Sequence, residues 1–223
     1  MKDFLTEEIF MKKLLVMCVC LLVATASLFA SGGKEREMTF FGGYQGNFYN
    51  YEGYYQIDAS SYAVLDMLEN YQGMAVGFEL REMSSDMIGA NVSVAFNLPF
   101  SVSVGFKDFK DAKVSLKRDD FESLFGIEMF GGLLIRPIRT NKMSLNLTPG
   151  IHMSFLSPKM SKNNISYLSY GLGADVSVDF ALTQKIFMTA GVTASFDFLS
   201  MNEFLKGAKI FAVTPKFGVG FQI

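Results

Sequence analysis

Lys216-Phe217-Gly218-Val219-Gly220-Phe221-Gln222-Ile223, the last eight residues of the chain, alternate without a break. Polar or small side chains stand at 216, 218, 220 and 222, and large apolar ones at 217, 219, 221 and 223. Successive side chains of a strand leave opposite faces, so this segment reads as a strand with one apolar and one polar face.

The same alternation recurs on reading backward. The terminal strand extends back to Lys209, with Phe211, Val213, Phe217, Val219, Phe221 and Ile223 on one face and Thr214, Lys216, Gly218 and Gln222 on the other. Ile186 to Phe198, Tyr167 to Leu182 and Met143 to Phe155 repeat the pattern at full length, and Phe125 to Ile135 and Ile88 to Leu98 are nearly as clear. Ser101 to Phe106 and Met38 to Tyr49 are weaker, the latter offering Phe40, Tyr44 and Phe48 diluted by Gly42 and Gly46. Eight sequential strands result, too long for an ordinary sandwich.

Connections alternate in length. Asn97-Leu98-Pro99-Phe100, Arg139-Thr140-Asn141-Lys142 and Thr183-Gln184-Lys185 read as tight turns, whereas 50–87, 108–122, 156–166 and 199–208 read as long polar excursions. Short turns at one end and long loops at the other suit an all-β, eight-stranded antiparallel up-and-down transmembrane barrel. A soluble eight-stranded barrel would turn its apolar face inward and carry many Lys and Glu outside. Here the polar faces hold mostly Gly, Ser, Thr and Asn, and charges gather in segments such as Lys107 to Lys113 and Lys117-Arg118-Asp119-Asp120. Pro149 and Pro215 are expected to mark a bulge or a missing ladder bond, because a closed barrel has no edge strand for them. Trp is absent, so any aromatic girdle must be built from Tyr and Phe.

The N-terminal end points to export. Met11-Lys12-Lys13 is a basic start, followed by an apolar run from Leu14 to Phe29 and the small residues Ala24, Ala26 and Ala30. That is the layout of a secretory signal peptide cleaved after Ala30 or, second, after Ala26. Residues 1–30 then comprise an upstream extension, acidic and ahead of the usual basic region, plus the signal, and 31–223 form a single barrel domain. A retained membrane helix is the competing reading, and the run is at the short limit for spanning. The two cysteines, Cys18 and Cys20, lie inside the apolar run and would leave with it, so the mature chain has no thiol chemistry. Neither is preceded by the small residue that lipid attachment needs. Half the residues are hydrophobic, the net charge is −2 and no run of Lys or Arg appears, so the sequence offers nothing to a nucleic acid.

The terminal pattern, polar-x-Gly-x-x-apolar-x-apolar on Lys216, Gly218, Phe221 and Ile223, resembles the C-terminal assembly signal of bacterial outer-membrane β-barrels. Taken with the upstream strands, the chain resembles the small eight-stranded barrels represented by OmpA transmembrane domains, OmpX and OmpW. The resemblance covers residues 31–223 and rests on pattern and length, without a catalytic or ligand motif. It implies residence in the bacterial outer membrane. The implied partners are outer-membrane lipids and, during biogenesis, periplasmic chaperones and the barrel-assembly machinery. The terminal strand should pair with the first, around Phe40 to Phe48, and seal the barrel.

By parity Glu128, Arg136, His152, Asp175, Asp179, Asp197 and Lys216 face the interior. Lys216 is expected near the level of Asp175 and Asp179, and Arg136 near the periplasmic end. Two readings follow: a structural ion-pair network, since an eight-stranded interior is only wide enough for its own side chains, or a polar path in which the three Asp residues favour cations. His152, the only histidine, has Ser154 on the same face, but the pair points away from lipid and no carboxylate is obviously beside it. The sequence therefore predicts no enzyme, no cofactor and no metal site. The segment between Tyr49 and Tyr71 carries Tyr51, Tyr54, Tyr55 and Tyr62 as contact candidates, and Val64, Met67, Leu68 and Tyr71 recur at helical spacing, as in a short amphipathic helix over the barrel mouth. Two function classes stand: a narrow passive channel for small polar or hydrophobic molecules, or a structural or adhesive surface protein whose Tyr-rich loops meet a small molecule or a host surface.

Overall fold

A computed structural model describes residues 35–56, 62–109, 112–160, 163–164, 166–200 and 207–223. The upstream extension, the signal segment with Cys18 and Cys20, and both cleavage positions lie outside the described residues. Among the described residues ten strands occur: β1 (Glu35–Gln56), β2 (Tyr62–Met83), β3 (Ile88–Phe106), β4 (Lys113–Lys117), β5 (Ser123–Arg139), β6 (Met143–Met160), β7 (Asn163–Asn164), β8 (Tyr167–Ala181), β9 (Ile186–Ser200) and β10 (Lys209–Gln222). Setting aside the short β4 and β7, eight antiparallel strands follow one another in the order β2-β1-β10-β9-β8-β6-β5-β3, and β2 pairs with β3 to close the ring. The terminal strand seals the barrel against the first, with Phe40 opposite Val219 and Phe48 opposite Phe211.

Three short turns share one end of the barrel and one construction. Ser85 Oγ accepts from the backbone N–H of Met87 and Ile88, Thr140 Oγ1 from Lys142 and Met143, and Thr183 Oγ1 from Lys185 and Ile186. A hydroxyl folded back on its own turn stands in for a backbone acceptor and fixes the reversal locally. The other end carries the longer connections; it is called the loop end below, and its opposite the turn end.

The structure corrects the N-terminal third of the sequence reading. The excursion expected over 50–87 is the upper part of β1 and the whole of β2, which pair from Glu35↔Met83 to Gln56↔Tyr62. The expected helix is absent: Leu68 and Val64 face outward and Met67 and Tyr71 inward, so the apparent helical spacing is split between two faces of a strand. The turn expected at Asn97-Leu98-Pro99-Phe100 is not a turn, and Ile88 to Leu98 and Ser101 to Phe106 are one strand. Register against β2 passes from Gln72↔Ser101 to Gly73↔Pro99, so Phe100 is an extra residue and β3 carries a bulge. The bulge exchanges the inward and outward faces while the apolar residues keep to even positions from Ile88 to Phe106. β3 changes partner at the same place, pairing with β5 over Ile88–Asn97 and with β4 over Ser101–Gly105. The true turn lies at residues 84–87. One strand missed and one strand split left the count of eight unchanged. The excursions expected over 108–122 and 156–166 are shorter as well, since β4 and the upper part of β6, to Met160, run through them.

Polarity is inverted relative to a soluble barrel. Phe40, Tyr44, Phe78, Phe96, Phe180, Phe196, Phe217 and many aliphatic side chains are exposed on the outer wall, while Glu79, Arg81, Asp175 and Lys216 are buried within. Aromatic pairs on that wall join strands, Phe48–Phe211 across the β1–β10 seam and Tyr44–Phe100 from β1 over β2 to β3, each with ring centroids 6.3 Å apart. Pairing lapses opposite both expected prolines without a change of register: between Gly132↔Gly150 and Ile135↔Leu147 beside Pro149, and between Gly43↔Lys216 and Gly46↔Val213 beside Pro215. The glycines opposite are needed there, since a Cβ on Gly43 would run into the Pro215 carbonyl and one on Gly132 into that of Pro149.

Candidate functional site

The barrel interior is the largest concentration of polar chemistry among the described residues, and it is organised by height. Near the turn end Arg81 on β2 reaches the wall opposite: its Nη1 donates to Asp179 Oδ2 on β8 at 2.8 Å, its Nη2 to Ser177 Oγ at 3.0 Å, and its Nε to Glu79 Oε1 at 2.6 Å. Glu37 lies 3.6 Å from Arg81 and accepts from Arg136 Nη2 at 2.7 Å, which ties β1, β2 and β5 together. Arg136 Nε also donates to Asn146, and Asn146 to Asp179. Below this knot a cavity of about 210 Å³ opens among Glu35, Arg136, Arg139 and the Thr140 and Thr183 turns.

One level higher, the Lys216 ammonium sits between Glu79 Oε2 at 2.7 Å and Asp175 Oδ2 at 2.6 Å, with the Phe41 ring 5.1 Å away. Thr193 donates to the same Asp175 oxygen. A cation buried this deeply is tolerable only because two carboxylates meet it, since an unpaired buried charge is prohibitively costly. Higher still, His152 Nδ1 is 2.8 Å from Asp197 Oδ1 and its Nε2 is 3.8 Å from Glu128 Oε2. Gln45 donates to Glu128 from β1, and Ser169 donates to Asp197 while contacting Ser154.

Toward the loop end the chemistry changes. Tyr49, Tyr71 and Tyr167 converge with ring centroids 5.4 to 6.5 Å apart, among Val102, Leu124, Leu156 and Ile210. Glu69 is held beneath hydroxyls, accepting from Tyr51 at 2.6 Å and from Tyr71 at 2.8 Å. The cross-section is thus occupied first by ion pairs and then by rings.

Geometry of this kind can be set beside solved proteins. OprG, an outer membrane protein of Pseudomonas aeruginosa, superposes with a TM-score of 0.52 at 14% identity, over 86% of this chain and 98% of OprG. The chain has the fold of the small outer-membrane β-barrels. The outer membrane protease OmpT of Escherichia coli matches with a TM-score of 0.51 at 7% identity, over 86% of this chain and 98% of its own. Ail of Yersinia pestis, an attachment invasion locus protein, matches at 0.44 and 12% identity, over 85% and 99%. No family model matches the sequence, and no curated protein does either. One of these barrels is a protease, so the fold alone does not decide whether a chain catalyses.

All seven interior residues named from parity are buried in the lumen: Glu128, Arg136, His152, Asp175, Asp179, Asp197 and Lys216. Lys216 meets Asp175, but Asp179 belongs to Arg81 instead. His152 does have carboxylates beside it, contrary to the sequence reading, because Asp197 and Glu128 reach it from neighbouring strands. In the terminal strand Lys216 and Gly218 face inward, and Phe221 and Ile223 are exposed. Tyr51 is partly buried on Glu69, and Tyr54, Tyr55 and Tyr62 fall on strand ends opposite Val64, Ala63 and Gln56 rather than in a loop. Glu37, Glu69, Glu79 and Arg81 escape the sequence reading because it expects a loop where β2 runs and starts the first strand at Met38, three residues after β1 begins. The signal was present: Leu68, Met74, Val76, Phe78 and Leu80 alternate with Glu69, Ala75, Glu79 and Arg81.

Proposed function

We propose that this protein is an integral barrel of the bacterial outer membrane whose interior is closed to solutes and which acts through its external face. The observation that carries this reading is the stack of ties across the lumen: Arg81 to Asp179, Lys216 between Glu79 and Asp175, and the tyrosine cluster above them. Every one of these groups would have to lose partners before a path opened. Membrane placement is supported by the inverted polarity, because an apolar outer wall this extensive is untenable in water. In this reading residues 1–30 are removed on export near Ala30, the turn end faces the periplasm, and Lys216, Gly218, Phe221 and Ile223 present the terminal strand to the assembly machinery and its chaperones.

What remains for function is the loop end. Among the described residues β1 pairs with β10 only as far as Asn50, and Tyr54 to Gln56 with their β2 partners rise beyond it as a two-stranded ribbon that brings the Tyr54, Tyr55 and Tyr62 positions to a surface ligand, while Tyr51 lies at its base on Glu69. A span of about 9 to 11 residues suffices to cross a bilayer as a tilted strand, and β1 and β2 have 22 each. We assign no catalytic role: His152 is turned to two carboxylates, and Ser169 donates to Asp197 rather than to the imidazole. A hydrolytic nucleophile needs a base within hydrogen-bond reach.

Single-channel recording of the refolded barrel tests the closed interior. No conductance is expected from the native chain, from Asp175→Asn or from Asp179→Asn. A steady conductance that either substitution alters would replace this reading with the cation path. Insertion itself is checked by migration in detergent gels, where a folded barrel should run differently before and after boiling.

A further inference from the structure

The outer wall changes character at the β3 bulge. Below it the outward residues Met74, Val76 and Phe78 on β2 and Phe96, Leu98 and Phe100 on β3 are apolar and exposed. Above it the extra residue turns Val102 inward and puts Ser101 and Ser103 outside, beside Asn70 and Gln72. β4 extends this polar zone, because Lys113, Ser115 and Lys117 stand opposite Gly105, Ser103 and Ser101. A groove of about 420 Å³ lies here, with Phe48 and Leu68 on its walls, Asn50 and Asn70 between them, and Lys107 and Lys113 at its rim. Its floor at Gly105 is open: a Cβ there would meet nothing nearer than Ala112 O at 3.7 Å and the Lys113 side chain at 3.9 Å.

We propose that this groove holds a membrane lipid with an anionic phosphate headgroup, an acyl chain lying against Phe48 and Leu68 and the phosphate between Lys107 and Lys113. The inference rests on the outer-membrane reading and adds a ligand to its external face. Three observations favour a lipid over a protein segment. On β3 the groove begins where outward apolar residues give way to Ser101 and Ser103, the change of polarity expected at the height of headgroups in a bilayer. Its walls are apolar and its rim is cationic, matching one amphiphile end to end. Asp66, the acid facing the rim, lies 3.2 Å from Lys107 in an exposed pair, and such pairs hold so weakly that a phosphate can displace them. Glu69 also borders the groove, but its carboxylate is engaged by Tyr51 and Tyr71 on the lumen side.

The test uses the full barrel refolded into phosphatidylcholine vesicles containing phosphatidic acid, extracted gently and weighed intact with whatever lipid it keeps. Retention of phosphatidic acid over phosphatidylcholine is expected, falling by about fivefold for each of Lys107→Gln and Lys113→Gln. Gly105→Phe, which fills the floor and leaves the charges, should lower retention of both lipids. Equal retention of the two lipids, a preference unchanged in the double lysine variant, or paired barrels in place of lipid adducts would overturn the site. A barrel that inserts, shifts on boiling and shows no preference removes the site alone. A chain that fails to insert removes the membrane reading with it.

Discussion

Toward the turn end the lumen is packed with Glu37, Glu79, Arg81, Arg136, Asp175, Asp179 and Lys216; toward the loop end the same ring of strands closes over Tyr49, Tyr71, Tyr167, Leu124 and Leu156. In the closed-interior reading both halves exclude solutes, by different physics. In the charged half each group is tied to two or three strands, so one side chain out of register leaves several charges unpaired in a dry interior. In the aromatic half the fit is one of shape, and the contacts are individually weak and collectively large. The charged half therefore enforces one register, and the aromatic half fills what that register leaves.

The sharpest way to break this contrast is Arg81→Met. It leaves Asp179 without a cation and takes one partner each from Glu79, which keeps Lys216, and Glu37, which keeps Arg136. Removing one partner of a buried ion network typically costs about 3 to 5 kcal/mol. Urea unfolding in vesicles should show that loss, and the double variant Arg81→Met with Asp179→Asn should recover part of it. A loss below about 1 kcal/mol, the range of exposed pairs, would mean that water reaches the network and that the two halves do not differ as described.

In the other half Leu156→Ala should cost somewhat less, about 2 to 4 kcal/mol, through the cavity it leaves beside Tyr167. It should produce no conductance, because the ion pairs below close the lumen independently. Current appearing in this variant would show that the aromatic cluster is the only seal.

The two ends of the sequence were not equally legible. β5, β6, β8, β9 and β10 alternate over most of their length, so their faces and the pairing partner of the terminal strand could be read directly. Their ends run past the expected limits, β5 to Arg139 and β6 to Met160, and register shifts near Pro137 and Phe198 interrupt the phase there. In β3 the bulge at Phe100 exchanges the faces of the strand, so Val102 and Val104 continue an apolar alternation that has changed sides. The sequence itself shows no phase break at Pro99, so the change of side is visible only in the pairing. β2 was hidden for a different reason. Its inward face carries Glu69, Glu79 and Arg81, whose charge suggests solvent, yet they face a lumen that supplies their partners from strands far away in sequence. One local cue was available: Ser85-Asp86-Met87-Ile88 has the same hydroxyl-x-x-apolar form as Thr140-Asn141-Lys142-Met143 and Thr183-Gln184-Lys185-Ile186, and all three are turns. The individual ion pairs had no such cue, because parity gives the face of a residue and says nothing of which wall it reaches.

The finest comparison is within the tyrosine cluster, between two hydroxyls of similar burial and opposite satisfaction. Tyr71 donates to Glu69 at 2.8 Å, whereas the Tyr49 hydroxyl has no hydrogen-bond partner among the described residues. Removing a donor from a buried carboxylate leaves that charge under-satisfied, so Tyr71→Phe should cost about 1 to 2 kcal/mol. Tyr49→Phe removes a polar atom that forms no bond and keeps the ring packed against Tyr71 and Tyr167, so its effect should stay within about 0.5 kcal/mol or favour the fold. Unfolding midpoints of the two variants in the same vesicles decide the matter. Equal losses would mean that the rings pack on shape alone and that Glu69 draws its stabilisation from Tyr51, whose hydroxyl is the closer of the two.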